Sequence, residues 1–261
     1  MVLNDSNFWK GFAVSFLLLA ALVGGAAWVW QTDRAPFDFF WGPVLGSTDP
    51  VLFCIADQNK YSNIALLDAA DPSRQIILKD NLTAVVWDDL NSIVNFAGLL
   101  RANGKKYSLK SEGATNLADL RGGPTVFIGA FDNAWTLRLT KPLRYHFVND
   151  AQMLQLGIVD SDNPAWSGWM IDRPLQQGNN NYRDYAIIAR FTDSTTGKLS
   201  IIAAGVGSGG TIVAGRFLTD PNSLTALMRA AGKKKNMEVV LSTQINNGEP
   251  GSPKIEATYF W

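Results

Sequence analysis

Leu199-Ser200-Ile201-Ile202-Ala203-Ala204-Gly205-Val206-Gly207-Ser208-Gly209-Gly210-Thr211 carries an apolar run into a glycine-rich turn, and a helix-forming stretch continues through Leu218. A short apolar run bounded by a turn signal reads as a strand buried on both faces. The glycines let the backbone reverse tightly into the helix and aim its first amides at whatever lies there. Strand, glycine turn and helix together form the unit of a wound α/β sheet, and the rest of the chain is read outward from it.

Upstream, Tyr185–Phe191 meets Leu199–Ala204 through Asp193-Ser194-Thr195-Thr196-Gly197, a turn between antiparallel strands. Downstream, Asp220-Pro221 opens a second helix that ends at Gly232. Val239–Gln244 and Ile255–Phe260 then form a hairpin around Asn246-Asn247-Gly248. Nearer the N-terminus, Val51–Ile55, Tyr107–Lys110, Pro124–Gly129 and Leu143–Val148 read as strands. A helix capped by Asp88 or Asp89 carries Leu90, Ile93, Val94, Ala97 and Leu100 and ends before Gly104. A short helix follows Thr115, and another, capped by Asp132 or Asn133, runs to Thr140, where Pro142 stops it. Residues 150 to 182 read as strands with loops. The expected class is α/β, a mostly parallel, wound, Rossmann-like sheet with a mixed or antiparallel C-terminal part, preceded by one transmembrane helix.

That helix is Gly11 to Trp30, GFAVSFLLLAALVGGAAWVW, without charge or proline. Some twenty residues at 1.5 Å each span roughly 30 Å of hydrocarbon. Trp9, Trp28 and Trp30 stand where indoles settle at a membrane interface. A removable signal peptide, with Gly25-Ala26-Ala27 near its cleavage site, is the competing reading. The expected organisation is a short tail (1–10), the span (11–30), an aromatic linker (31–49) bearing Phe37, Phe39, Phe40 and Trp41, and an α/β domain (50–261) divisible into lobes at 50–150 and 182–261. A short cytoplasmic N-terminus with the domain outside suits a signal-anchor, and only the amino terminus tips the charge balance that way.

Lys plus Arg and Asp plus Glu are 23 each, so the basic surface of a nucleic-acid binder is not expected. Lys233, Lys234 and Lys235 form the only dense basic run. They read as solvated charges complementing a helix C-terminus, with a lipid-headgroup or phosphate role as the alternative. One cysteine, Cys54, and one histidine, His146, exclude an intramolecular disulfide and a His/Cys zinc site within the chain. Cys54, inside an apolar strand, reads as a small buried hydrophobe.

Gly205 to Gly210 fits G-x-G-x-x-G, but a dinucleotide site also needs a carboxylate closing the following strand. Glu238 stands at that strand's start, and the end reads Leu241-Ser242-Thr243-Gln244. No cofactor is expected. Ser208 lacks the glycine two residues before it that a nucleophile elbow requires, since Val206 is there. Asp160-Ser161-Asp162-Asn163 begins like a calcium loop but lacks its glycine and closing acid. In a parallel sheet, Asp57, Asp132 and Asn133 follow strands and converge on Gly205, Gly207, Ser208, Gly209, Gly210 and Thr211. That crevice is the expected ligand site, for a small polar or anionic molecule. Trp87, Trp135, Trp166 and Trp169 fill the core or, around 166–169, offer an aromatic surface to a protein partner or a sugar.

Asp119 to Thr136 (DLRGGPTVFIGAFDNAWT), Asp184 to Arg190 (DYAIIAR), Ala203-Ala204-Gly205 and Gly210-Thr211 resemble a domain of uncharacterised bacterial single-pass membrane proteins. The resemblance covers roughly Phe39 to Trp261. It implies an extracytoplasmic domain behind a membrane helix, sometimes with a DNA-binding module ahead of it, and hence sensing or scaffolding. Ten residues before the span cannot hold such a module, and no catalytic residue is carried over. The expected function is therefore a membrane-anchored, non-enzymatic ligand- or partner-binding domain. A hydrolase using Ser208 or Asp132, or a structural subunit of a membrane assembly, is the alternative.

Overall fold

In a computed structural model, which describes residue 16 and residues 34–57, 62–80, 84–165 and 168–261, Val51–Ile55 (β1) lies inside the main sheet and is buried along its length. It pairs in parallel with Tyr107–Ser111 (β4) on one side and Thr125–Ile128 (β5) on the other. Leu199–Gly205 (β10) continues the parallel set beyond β5. Tyr182–Thr192 (β9) runs antiparallel to β10, and Met237–Asn246 (β11) is antiparallel to β9. Glu249–Pro250 (β12) and Lys254–Phe260 (β13) both pair antiparallel with β11, completing an eight-stranded sheet.

The α/β class is as expected, but the sheet is mixed rather than mostly parallel. Leu143–Val148 is the reason in part. Its strand, Tyr145–Asn149 (β6), leaves the main sheet and joins Gln155–Asp160 (β7) and Met170–Asp172 (β8) in a separate antiparallel sheet of three. Ser62–Leu67 (β2) and Gln75–Asp80 (β3) form a further hairpin with Leu67 and Ile77 exposed. The β5–β10 ladder ties residues 50–150 to residues 182–261 within one sheet.

Helices cover one face: 34–45 (α1), Trp87–Ala102 (α2), Ser208–Thr219 (α6) and Pro221–Ala231 (α7). Phe53, Val126, Ile128 and Ile188 point into that layer, while Cys54, Phe127, Ile187 and Ile202 point to the other. Leu117–Arg121 (α3), Ala134–Thr140 (α4) and the β6–β7–β8 sheet cover the second face, so the central strands are buried on both sides.

Residues 31–49, expected as a linker, contain helix α1, and its Phe40, Trp41 and Val44 are fully buried. The Trp41 indole N–H donates to the Leu218 carbonyl at 2.8 Å, which fixes α1 against the end of α6. Pro43 has no N–H, so the Phe39 carbonyl four residues earlier loses its helical donor. The Arg190 guanidinium supplies the replacement, donating to the Phe39 carbonyl and, at 2.9 Å, to that of Phe40. Proline-containing sequence becomes core helix because a distant arginine satisfies what the proline leaves open.

The predicted span, Gly11–Trp30, lies outside the described residues except for Phe16, and among the described residues no helix is long and apolar enough to cross a membrane.

Asn133 is the cap of α4, its side-chain oxygen accepting from the Trp135 and Thr136 amides. Its amide nitrogen donates to the carbonyls of Cys54 (3.1 Å) and Ile128 (3.0 Å), bridging the ends of β1 and β5. Asn133→Ala removes the cap and takes the Asn133 donor from both carbonyls at a fully buried position, the Ile128 carbonyl keeping its bond from the Ala56 amide. The expected loss is about 2 kcal/mol, read from urea denaturation followed by tryptophan fluorescence. An unchanged midpoint would mean that the bridge contributes nothing.

Candidate functional site

The parallel strands β1, β4, β5 and β10 end on one edge of the sheet, and their spatial order β4-β1-β5-β10 places a topological switch between β1 and β5. Ligand crevices form where connections leave a sheet in opposite directions. A cavity of about 430 Å³ opens at this edge beyond β5 and β10. Asp132, Gly205, Gly207, Ser208 and Thr211 line it, five of the nine residues expected to converge. Asp57, Asn133, Gly209 and Gly210 are not on its wall. Asp57 is buried after β1, and Asn133 serves the bridge described above.

Arg173 and Gln176, from the short helix Arg173–Gly178 (α5), complete the wall together with Asp89. Asp89 is the important addition. The expectation that Asp88 or Asp89 caps α2 is incorrect, because the cap position is Val86, which makes no side-chain cap bond. The two acids lie two and three residues further in, on the first turn, and helix rotation turns Asp89 into the crevice at 2% exposure. Its Oδ2 has no hydrogen-bond partner among the described residues. Burial pushes the carboxyl up to about 7, and the Asp132 charge, then that of Asp88, adds to the rise. The α2 dipole acts in the opposite sense, but about 1 kcal/mol at a helix N-terminus is too small to reverse a shift of that size. Asp132 is also raised, chiefly by burial, against hydrogen bonds from its own amide and that of Ala130. Two neighbouring carboxyls thus face one cavity, each with its pKa raised by burial.

The glycine loop is already occupied by the protein itself. Asp184, fully buried near the start of β9, accepts from the Gly207 amide at 2.9 Å, the Gly210 amide at 2.8 Å and the Tyr185 amide at 2.7 Å. These bonds hold its pKa down, yet burial prevails and the group sits at about 6. The amides that a bound anion would take therefore already hold an internal carboxylate. The glycines have packing reasons as well. A β-carbon on Gly210 would lie 2.3 Å from the Tyr185 carbonyl oxygen, and one on Gly205 would lie 2.2 Å from the Thr211 nitrogen. A strand pattern and a turn cannot show this on their own, but the β9–β10 register could have. With Ala186 opposite Gly205, extending the ladder by two residues puts Asp184 at Gly207.

Compared with known proteins, the chain matches no family model, no curated protein and no solved structure. The chemistry must therefore be read from the crevice alone.

Ser208 is exposed at the mouth, but His146 is not on the crevice wall. It sits on β6, 3.4 Å from the Ser161 hydroxyl. Among the described residues no group of His, Cys, Asp and Glu has the makings of a metal site. Cys54 is buried and its thiol is pushed up to about 12 by desolvation, so it stays protonated. Of the tryptophans, Trp169 packs edge-on against Tyr145 in the core, and Trp166 lies outside the described residues. Trp135 and Trp261 line a separate cavity of about 390 Å³.

Proposed function

We propose that this is a membrane-anchored, non-enzymatic binding domain whose crevice beyond β5 and β10 takes a small polar molecule bearing hydrogen-bond donors, such as amino or hydroxyl groups. The observation that carries the reading is the Oδ2 atom of Asp89, buried, facing the cavity and without a partner among the described residues. A buried acceptor left open is costly, and a donor from a ligand would relieve that cost. Asp132 offers a second acceptor beside it, and Gln176 and Ser208 add polar groups at the wall. A cavity of about 430 Å³ suits a metabolite rather than a polymer. With the loop amides engaged by Asp184, an anion has less to gain here than a donor-bearing ligand does. The anchor is Gly11–Trp30, with the domain on the extracytoplasmic side.

A thermal-shift screen of the full chain in neutral detergent, against amines, polyols, amino acids and anions, tests this. A donor-bearing compound should raise the melting temperature of the native chain and leave Asp89→Asn unmoved. Shifts from anions alone, or equal shifts in both chains, would contradict it.

A hydrolase is the second reading, because two carboxyls with raised pKa values share a cavity with the exposed Ser208 hydroxyl. Ester or amide turnover abolished by both Ser208→Ala and Asp132→Asn would favour it over simple binding.

A further inference from the structure

Buried Arg190 also lines a cavity at the opposite end of the sheet. It is 2% exposed, and among the described residues its guanidinium partners are backbone carbonyls and rings only. It donates to the carbonyls of Phe39, Phe40 and Lys235, and lies 5.0 Å from the Phe39 ring centre and 5.2 Å from that of Phe40. Carbonyl dipoles satisfy its donors without cancelling its charge, and burial pulls its pKa down to about 10. A buried cation with no counter-ion is unfavourable, and a nearby anion corrects that.

The cavity beside it, about 410 Å³, is walled by Lys233, Lys234 and Lys235 from the α7–β11 loop and by Phe39, Gly42 and Pro43 from α1. Its one acid is Asp38, which lies 3.6 Å from Arg34 in an ion pair. The chain's balanced total charge therefore conceals an asymmetry. Asp89, Asp132 and Asp184, with Arg173 among them, gather at the crevice end, while Arg190 and the three lysines gather at the other.

The N-terminal segment joins the domain at this basic end. Arg34 donates to the Asn103 side chain just past α2, on the edge where β4 starts. Four Cα–Cα steps separate Trp30 from Arg34, roughly 14 Å at full extension. If Gly11–Trp30 lies in a bilayer, this end is held within headgroup reach.

We propose that the cavity of Arg190 and Lys233–Lys235 binds the phosphate group of an anionic phospholipid, seating the domain on the membrane with its acidic crevice facing away. The site is separate from the crevice, and its lipid assignment rests on the membrane reading of Gly11–Trp30. Carbonate extraction of membranes tests that reading by itself, so the two can fail independently.

The binding test uses the full chain in neutral detergent micelles, titrated calorimetrically with dihexanoyl-phosphatidylglycerol, dihexanoyl-phosphatidylcholine and inorganic phosphate. Saturable binding of the glycerol lipid is expected, with the choline lipid and free phosphate much weaker. Lys233→Gln/Lys234→Gln/Lys235→Gln, whose positions are exposed and leave the core intact, should weaken it roughly 100-fold. No saturable binding, equal binding by the triple variant, or equal binding of the choline lipid would overturn the proposal. Free phosphate bound as tightly as the lipid would also overturn it, by assigning the site to a soluble anion.

Discussion

Gly210→Ala is expected to destabilise the domain by about 4 kcal/mol, a large share of the 5–15 kcal/mol that holds a typical domain folded. The added β-carbon would fall 2.3 Å from the Tyr185 carbonyl oxygen and 2.8 Å from the Gly205 α-carbon. Both are backbone atoms, so no rotamer change relieves the overlap. The α6 N-terminus would have to move away from β9, which also breaks the 2.8 Å bond from the Gly210 amide to Asp184. Gly98 provides the internal control. It lies mid-helix in α2 with nothing within 4 Å of an added β-carbon. There the same substitution should stabilise by roughly 0.5–1 kcal/mol, since it only restricts the unfolded chain and improves helix propensity. Urea denaturation of both variants gives the comparison. Equal, small effects would return the glycine loop to an explanation based on a ligand.

Asp89→Asn should make the protein more stable at pH 8, by at most roughly 4 kcal/mol, while abolishing ligand binding in the crevice. The folded-state pKa of Asp89 is raised to about 7 from an ordinary 3.8. A raised group gives its stabilising contribution in full below the unfolded value, and loses it as pH rises through the folded value. At pH 8 the native chain therefore holds a charged, buried carboxylate that the unfolded chain would solvate. Asparagine, nearly the same shape, carries no such charge. The advantage of the variant should shrink as pH falls through 7 and vanish near 4. Denaturation midpoints at pH 8, 6 and 4.5 measure the trend. A destabilised variant at pH 8 would show that Asp89 is held by a favourable partner, which would remove the main support for a donor-bearing ligand. The same sign applies to Asp184 and Glu238, raised to about 6 and about 8, so the native chain should itself gain stability on mild acidification.

Local chemistry accounts for the elements that were legible. Asp220 followed by Pro221, Asn133 before Ala134, and Gly104 at a positive φ of 69° behave as the residue types require, whatever surrounds them. The apolar runs of β1, β5, β9 and β10 had to be buried strands because no polar face was available to water.

Illegible features depended on partners far away in sequence. Leu143–Val148 reads like any other strand in a βαβ series, and only packing assigns it to the small second sheet. Residues 31–49 read as an aromatic linker, and their helix rests on Arg190, 147 positions after Pro43, which supplies the donor that the proline lacks. Asp88 and Asp89 are chemically identical neighbours, and a 100° helical step decides which enters the cavity. The sequence by itself determined an α/β chain with strand–glycine–helix units and the chain order of its elements, because propensity, capping and burial act over a few residues. Tertiary structure alone decided that Asp184 caps the glycine loop, that Asp89 faces the crevice, and that the acidic and basic groups sit at opposite ends. Those depend on register, helix rotation and long-range contact, which no local pattern encodes.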